Sequence, residues 1–548
     1  MSLDYAVSLS TEASHQKALQ DIDLMLNKHG RNTEQFGLPS VKHDSTKYGR
    51  LINAFSVPEM IELSQQVVPK LTREQKDLFD TITNASITNK RKGGIFIIDA
   101  PAGTGKSFTE CAIAAHLRAQ GKLVLCAAST GIAALILPGG LTAHSTFKLP
   151  FGDAAVEGSV CNVKAESKRA HVLKNASLII WDEIVMSGKY SPEALDLTLK
   201  DRLKNDRPSG GKCAVMSGDW RQVAPVLKFG TPSEIVEHAF LSSHLWKHVK
   251  RFRLTTSMRD KEDLPCAHTV LAIGEGAIQP IELEDGTAVI PLSNTNTNTD
   301  GTQQSCTIEG ITDFTHLVDR SYPDLLSVDH NSYSDRGILA PTNKNIENIN
   351  NFILDKMQGD SHHQLSTDKL VTDDSSMPDV VSVEYLHEVN VPGTPPHNFH
   401  IKLGSLIFFV GNINFDSGLV NGSKGIIRGI SRRVLDIKVI TEGSPLVKVP
   451  RICFKVQVGS RGITFHRYQF PVKLCYAMTI NKSQGQTLKA VGLDLRCDLF
   501  CHGQLYVAVT RTSSRNNIVC LVQPERMING VPHVHNVVYP EFIQAATG

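Results

Sequence analysis

The sequence predicts an α/β protein with two parallel-sheet cores, the second interrupted by a small antiparallel β-barrel. Three observations lead there. From Leu71 onward, β-type runs alternate with helical stretches: Gly94 to Asp99, Lys122 to Ala127, Ser177 to Asp182 and Cys213 to Ser217. That rhythm is the signature of a parallel sheet covered by helices. A second set repeats it, at Gly337 to Pro341, Lys473 to Thr479, Val491 to Leu495 and Ile518 to Val522. From Leu403 to Gln469 the pattern changes. Runs such as Leu435 to Ile440 and Phe454 to Val458 alternate apolar and polar residues between Gly and Pro breaks, as in a small antiparallel barrel.

At 548 residues the chain has room for about three or four domains. The expected division is an N-terminal extension over 1–70 and a first core over 71–252. The second core takes 253–400 and 470–548, with the barrel at 401–469. Residues 14–29 of the extension read as an amphipathic helix, with Leu19, Ile22, Met25 and Leu26 on one face and Gly30 as its stop. Two insertions interrupt the cores, at about 142–176 and 281–335. Within the latter, the polar tract Ser293 to Ser305 (SNTNTNTDGTQQS) lacks apolar surface to bury and is expected to be a mobile loop.

Composition excludes several classes. No run of 18 apolar residues and no charged-then-apolar leader is present, so a membrane or secreted protein is not expected. Eleven scattered cysteines fit an intracellular, reducing compartment. Cys497, Cys501 and His502 have no second Cys/His pair at ligand spacing, so a structural zinc site is not expected. The net charge of +2 conceals opposed segments: ten acidic residues against Arg320 from Ile281 to Asp335, and eleven basic against two acidic from Val420 to Cys475. The basic segment suits a polyanion such as nucleic acid, or is a solvated strand face.

The chemistry starts at Ala100 to Ser107, APAGTGKS, between an apolar strand and a helix. In such a P-loop, backbone N–H groups of Ala102, Gly103, Thr104 and Gly105 curl around phosphates. Lys106 reaches the β/γ-phosphates and the Ser107 hydroxyl takes Mg²⁺. The expected cofactors are therefore ATP and Mg²⁺. Some 75 positions on, the strand Ser177 to Trp181 ends in Asp182-Glu183. Asp182 is placed to hold Mg²⁺, Glu183 to orient and deprotonate the attacking water. Gln222, in Gly218 to Val226, is placed to sense the γ-phosphate. Arg259 and Arg511 are candidate arginine fingers.

The ordered set of these segments resembles a superfamily 1 DNA helicase of the PIF (petite integration frequency) type, kin to RecD. It comprises Leu71 to Gln75, APAGTGKS, Ala128 to Ala134, Thr142 to Phe147, Trp181 to Glu183, Gly218 to Val226, Ser257 to Arg259, Leu339 to Asn343, Ala477 to Thr487 and Gln504 to Arg511. The match covers roughly Leu71 to Val522. The segment Gly218 to Val226 departs from many relatives in Trp220-Arg221 and Val223-Ala224, and keeps Asp219, Gln222 and Pro225. The resemblance implies two RecA-like cores, Gln75 on the adenine, Gly485 among the nucleotide-binding residues, and Thr130, His144, Lys482, Ser483 and Gln484 on the DNA strand. Three other readings remain open: Gln75 as an exposed helix residue, Thr130 as a helix cap and His144 as a core histidine. The implied activity is ATP-driven 5′→3′ movement on single-stranded DNA with unwinding of forked duplex, in replication, repair or recombination, by a monomer. The basic barrel would sit over the DNA, and the stretch after His144 would help split the duplex. The alternative is a nucleic-acid-stimulated ATPase or translocase, RNA-directed or with little unwinding. A scaffold without ATPase activity disagrees with the intact Lys106, Asp182, Glu183 and Arg511. A nuclease lacks a carboxylate cluster of its own.

Overall fold

The computed structural model describes residues 57–88, 93–227, 230–258, 264–297, 303–323, 333, 335–371, 383–391, 393–413, 419–440, 446–458, 464–512 and 514–547. The helix expected over 14–29 and Arg259 lie outside the described residues. The first core is a six-stranded sheet of β1 (Gly94–Asp99), β2 (Val124–Ala128), β3 (Leu141–Thr142), β4 (Leu178–Asp182), β5 (Cys213–Gly218) and β6 (Val249–Arg253). Their order is β3-β2-β4-β5-β1-β6, and every pairing is parallel. Helices on both faces make the inner strands apolar on both sides. Ile95, Ile97, Ile179 and Trp181 enter one buried cluster, whereas Phe96, Ile98, Leu178 and Ile180 enter the other.

The second core is also parallel, in the order Glu309–Ile311, Ile518–Leu521, Ala490–Asp494, Arg336–Ala340, Ala477–Thr479. The run expected as one strand over Lys473 to Thr479 divides. Val472–Leu474 pairs antiparallel with Leu406–Phe409, while Ala477–Thr479 joins the parallel sheet. The chain turns at Cys475 and Tyr476, both fully buried, and the Tyr476 hydroxyl accepts from Leu406 N at 3.0 Å. A five-stranded antiparallel sheet (Leu446–Pro450, Val434–Val439, Lys424–Ile430, Leu406–Phe409, Val472–Leu474) carries the basic segment. Earlier chain joins this region: Thr367–Leu370 pairs with Thr464–Gln469, and His362–Leu365 with Asn398–Ile401.

Of the tract Ser293 to Ser305, expected as a loop, the described residues lie in two antiparallel paired strands, Ser293–Thr297 and Gln303–Thr307. Its backbone pairs with itself, and Leu292 and Ile308, both buried in the second core, anchor its base. The C-terminal helix Pro540–Thr547 returns to the first core. There Phe542 is fully buried and lies 6.0 Å from the Trp220 ring. No helix among the described residues is long and apolar enough to cross a membrane.

Candidate nucleotide site

The turn after β1 enters the helix Lys106–Ala119 through Gly103 (φ 87°) and Gly105 (φ 79°), both left-handed. A β-carbon on Gly105 would stand 2.5 Å from Gln75 Nε2, so glycine is needed for space as well as for conformation. Gln75 is buried on this loop. Its Nε2 donates to Thr104 O at 2.9 Å and its Oε1 accepts from Thr72 N at 3.0 Å. It is not an exposed helix residue. Thr104 is buried as well, its hydroxyl donating to Pro101 O at 2.8 Å.

Lys106 Nζ donates to Asp182 Oδ1 and, at 2.8 Å, to Glu183 Oε1. Burial favours the neutral amine, yet Asp182 and Glu183 outweigh it and hold Lys106 charged, well above its ordinary range. For Asp182 burial prevails over the pull of Lys106 and its pKa rises. For Glu183 burial also pushes upward, but Lys106 and the Gln484 amide prevail and the net shift is down. Glu183 is a non-glycine residue with φ 56°, a conformation costing about 1–3 kcal/mol that persists where the surroundings enforce it. The Ser107 hydroxyl and the Asp182 carboxylate are hard oxygen donors of the kind Mg²⁺ takes.

The second core supplies the facing wall. Gln484 Nε2 donates to Glu183 Oε2 at 3.1 Å, so the two oxygens of one carboxylate are held by different cores. Arg511 is buried beside this contact, its guanidinium donating to the carbonyls of Val507, Ser483 and Gln486, and its charge helps to lower Glu183. The Tyr506 hydroxyl accepts from Ala102 N at 3.1 Å, and His502 bonds Trp220 O at 2.9 Å. Gly503 (φ 74°) lies so close to the first core that a β-carbon would be 2.4 Å from Arg221 O.

The segment Gly218 to Val226 completes the floor. Gln222 Nε2 donates to Asp219 Oδ2 at 3.2 Å, while its buried Oε1 makes no hydrogen bond. The unusual Trp220-Arg221 pair has a packing reason. Trp220 is buried, edge-on to Trp246 at 5.3 Å. Arg221 is fully buried and bonded to Asp99, Asp219 and Glu275. Burial and the Asp219 charge push Asp99 up to about 6, against the pull of Arg221.

The expected strand-facing residues separate into two groups. His144 is exposed, edge-on to Phe151 at 5.6 Å, and is no core histidine. Lys482 is exposed with Nζ 5.2 Å from the Phe408 ring centroid. Thr130 does cap its helix, the hydroxyl accepting from Ala133 N at 3.2 Å. Ser483 and Gln484, by contrast, are buried: Ser483 Oγ donates to Ile480 O, and Gln484 faces Glu183. Gln484 thus joins the cluster around Lys106 and Glu183. Gly485 (φ 79°) turns the chain beside Ala133, where a β-carbon added to it would stand 4.0 Å from the Ala133 methyl carbon. Of the other suspected ligands, both nitrogens of His502 are engaged, with Trp220 O and Tyr539 N.

Sequence reasoning passed over Glu110 and Ser217. Glu110 is one helical turn after Lys106 and so shares its face. Ser217 is level with Asp182 on the adjacent strand, since Trp181 pairs with Met216. The available signal was a lone acidic residue, Glu110, in the otherwise uncharged run Phe108 to Ala115.

Fold and site together define a P-loop nucleoside-triphosphatase with two parallel-sheet cores meeting at the Glu183 carboxylate. Residues 70–280 match the PIF1-like helicase family model, and 384–430 match the model of the DNA helicase Pif1 2B domain. Over those two segments the chain is similar to the PIF1-like helicases. It is 28% identical over 439 residues to ATP-dependent DNA helicase Pif1 of Campylobacter jejuni, covering 76% of this chain and 86% of that one. It is 25% identical to ATP-dependent DNA helicase PIF1 of Xenopus laevis, covering 85% of this chain and 63% of that one. Bacteroides Pif1 solved with ADP-AlF3 and ssDNA superposes with a TM-score of 0.58 at 22% identity, covering 82% of this chain and 92% of that one, a likeness of fold.

Proposed function

We propose that this protein is an ATP-dependent DNA helicase that moves 5′→3′ on single-stranded DNA and unwinds forked duplex. The observation that carries the reading is the shared carboxylate. Glu183 is held at one oxygen by Lys106 of the first core and at the other by Gln484 of the second, so nucleotide chemistry at Glu183 is felt by both.

In this reading Gln75 meets the adenine, and the P-loop from Ala102 to Ser107 holds the phosphates. Ser107 and Asp182 would hold Mg²⁺, which when bound neutralises phosphate charge. Glu183, kept anionic, orients the water and takes its proton as the oxygen attacks the γ-phosphorus. ADP and phosphate are the products. Gln222 senses the γ-phosphate through its unengaged oxygen, and Arg511, with Arg259, balances developing charge. The segments Lys482–Gln486 and Gln504–Arg511 belong to one wall, so repositioning Gln484 or Arg511 at the nucleotide moves the second core relative to the first. His144 and Lys482 are accessible to the strand. Arg428, Arg432, Arg433, Lys438, Lys448 and Lys455 are exposed on the antiparallel region and suit its phosphates. We take the domain division expected from sequence, with the strands of 362–370 counted with the basic region. One chain carries both walls, which supports a monomer as the acting unit, inside a DNA-containing compartment.

The test is strand displacement on partial duplexes with a 5′ or a 3′ overhang. Unwinding from the 5′ tail alone is expected. ATP hydrolysis stimulated by single strands without displacement would leave a translocase, and preference for RNA would change the substrate.

A further inference from the structure

Asp182 is fixed by more than Lys106. Its Oδ1 accepts from Lys106 Nζ, from Glu183 N at 2.7 Å and from Ser217 Oγ at 2.9 Å. Ser217 Oγ also contacts Glu110 Oε1. A serine hydroxyl has one proton and cannot donate to both oxygens. Asp182 Oδ1, surrounded by donors, is the acceptor of that proton. The second contact then needs a proton from Glu110, donated to the lone pair of Ser217 Oγ. The remaining oxygen agrees: Glu110 is fully buried, and its Oε2 makes no hydrogen bond, which an ionised carboxylate at that depth would not tolerate.

We propose that Glu110, as a neutral carboxylic acid, is a positioning residue that orients the Asp182 carboxylate through Ser217. The path runs Glu110 to Ser217 to Asp182, three fully or almost fully buried groups on the P-loop helix, β5 and β4. Glu110 reaches Asp182 through the Ser217 hydroxyl. It supports the residue that would hold the divalent ion, and the inference therefore rests on the ATPase reading. A neutral acid also keeps a third negative charge away from Lys106, which already balances Asp182 and Glu183.

The experiment compares Glu110→Gln, Glu110→Leu and Ser217→Ala in the full chain. Direct Mn²⁺ binding to the protein–ADP complex is read by electron paramagnetic resonance, beside melting temperature and the Mg²⁺ dependence of hydrolysis. The Gln amide keeps the shape and the donor, and Glu110→Gln is expected to bind Mn²⁺ within about threefold of wild type. Glu110→Leu and Ser217→Ala are expected to weaken Mn²⁺ binding by about 10- to 100-fold, the usual effect of removing a partner of a metal ligand. Unchanged Mn²⁺ binding in Ser217→Ala would overturn the proposal, even where Glu110→Leu fails to fold. Loss in Glu110→Gln equal to that in Glu110→Leu would overturn it too, by showing that the charge matters. Wild type in the same assays separates the two readings: no hydrolysis there would sink the ATPase reading itself.

Discussion

Two buried charge clusters of this protein have opposite characters. In the antiparallel region the side chains of Arg467 and Asp368 are both fully buried, and the pair is saturated. Arg467 donates to both Asp368 oxygens and to the carbonyls of Leu386, Val389 and Pro395. Around it His387 and His397 stack at 3.6 Å, and Ser366 Oγ bonds Asp368. These residues carry no left-handed backbone among the described non-glycine positions. At the P-loop, Lys106 faces two carboxylates, with Glu110 as a third acid nearby. Here Glu110 Oε2, Gln222 Oε1 and Gln484 Oε1 are buried without hydrogen bonds, and Glu183 is held left-handed. A buried charge with every partner supplied closes a fold. A buried charge with spare lone pairs and enforced backbone strain is arranged for something that comes and goes.

This contrast can be broken by mutation. The largest effect is expected from Arg511→Ala, which should lower DNA-stimulated ATP turnover by about 10³-fold or more if it acts as a finger. Steady-state hydrolysis checks it, and turnover within tenfold of wild type would leave Arg511 a mere brace for residues 483–486. Next, Glu183→Gln should cost about 10²- to 10⁴-fold in turnover, as for loss of a general base, with melting unchanged. Normal hydrolysis in that variant would end the assignment of the base.

The saturated cluster should answer through stability. Arg467→Met, which leaves Asp368 buried and unpaired, is expected to destabilise by about 3–5 kcal/mol in denaturant unfolding. Hydrolysis per folded molecule should remain close to wild type. Adding Asp368→Leu should recover most of the loss. A single variant that melts normally but cannot hydrolyse ATP would place the pair in the machinery. Smallest of all, neutralising Arg432 and Arg433 should reduce the salt slope of DNA binding by about two at most. An unchanged slope would assign those charges to solvent.

How much of this was legible beforehand follows from how local each feature is. The P-loop, Asp182-Glu183 and the strands around them are contiguous stretches whose apolar periodicity and glycine positions announce themselves. The paired strands 293–297 and 303–307 were read as loop because low apolar content was taken as disorder. Backbone pairing of 293–297 with 303–307, and two anchors, Leu292 and Ile308, hold the described strands. That Gln484 meets Glu183 was not legible, because a lone sequence segment does not say which residue 301 positions away it will touch.

By itself, then, the sequence determined the α/β class, the nucleotide loop and the acids that serve it, since each depends on neighbours within one strand, turn or helix. Tertiary structure alone decided that Gln484 and Lys106 share Glu183, that Tyr506 meets Ala102, and that Ser217 stands between Glu110 and Asp182. Those contacts join residues tens to hundreds of positions apart. Their hydrogen-bond count depends on distances of a few tenths of an ångström, fixed when sheets and cores pack and by nothing in the chain's local order.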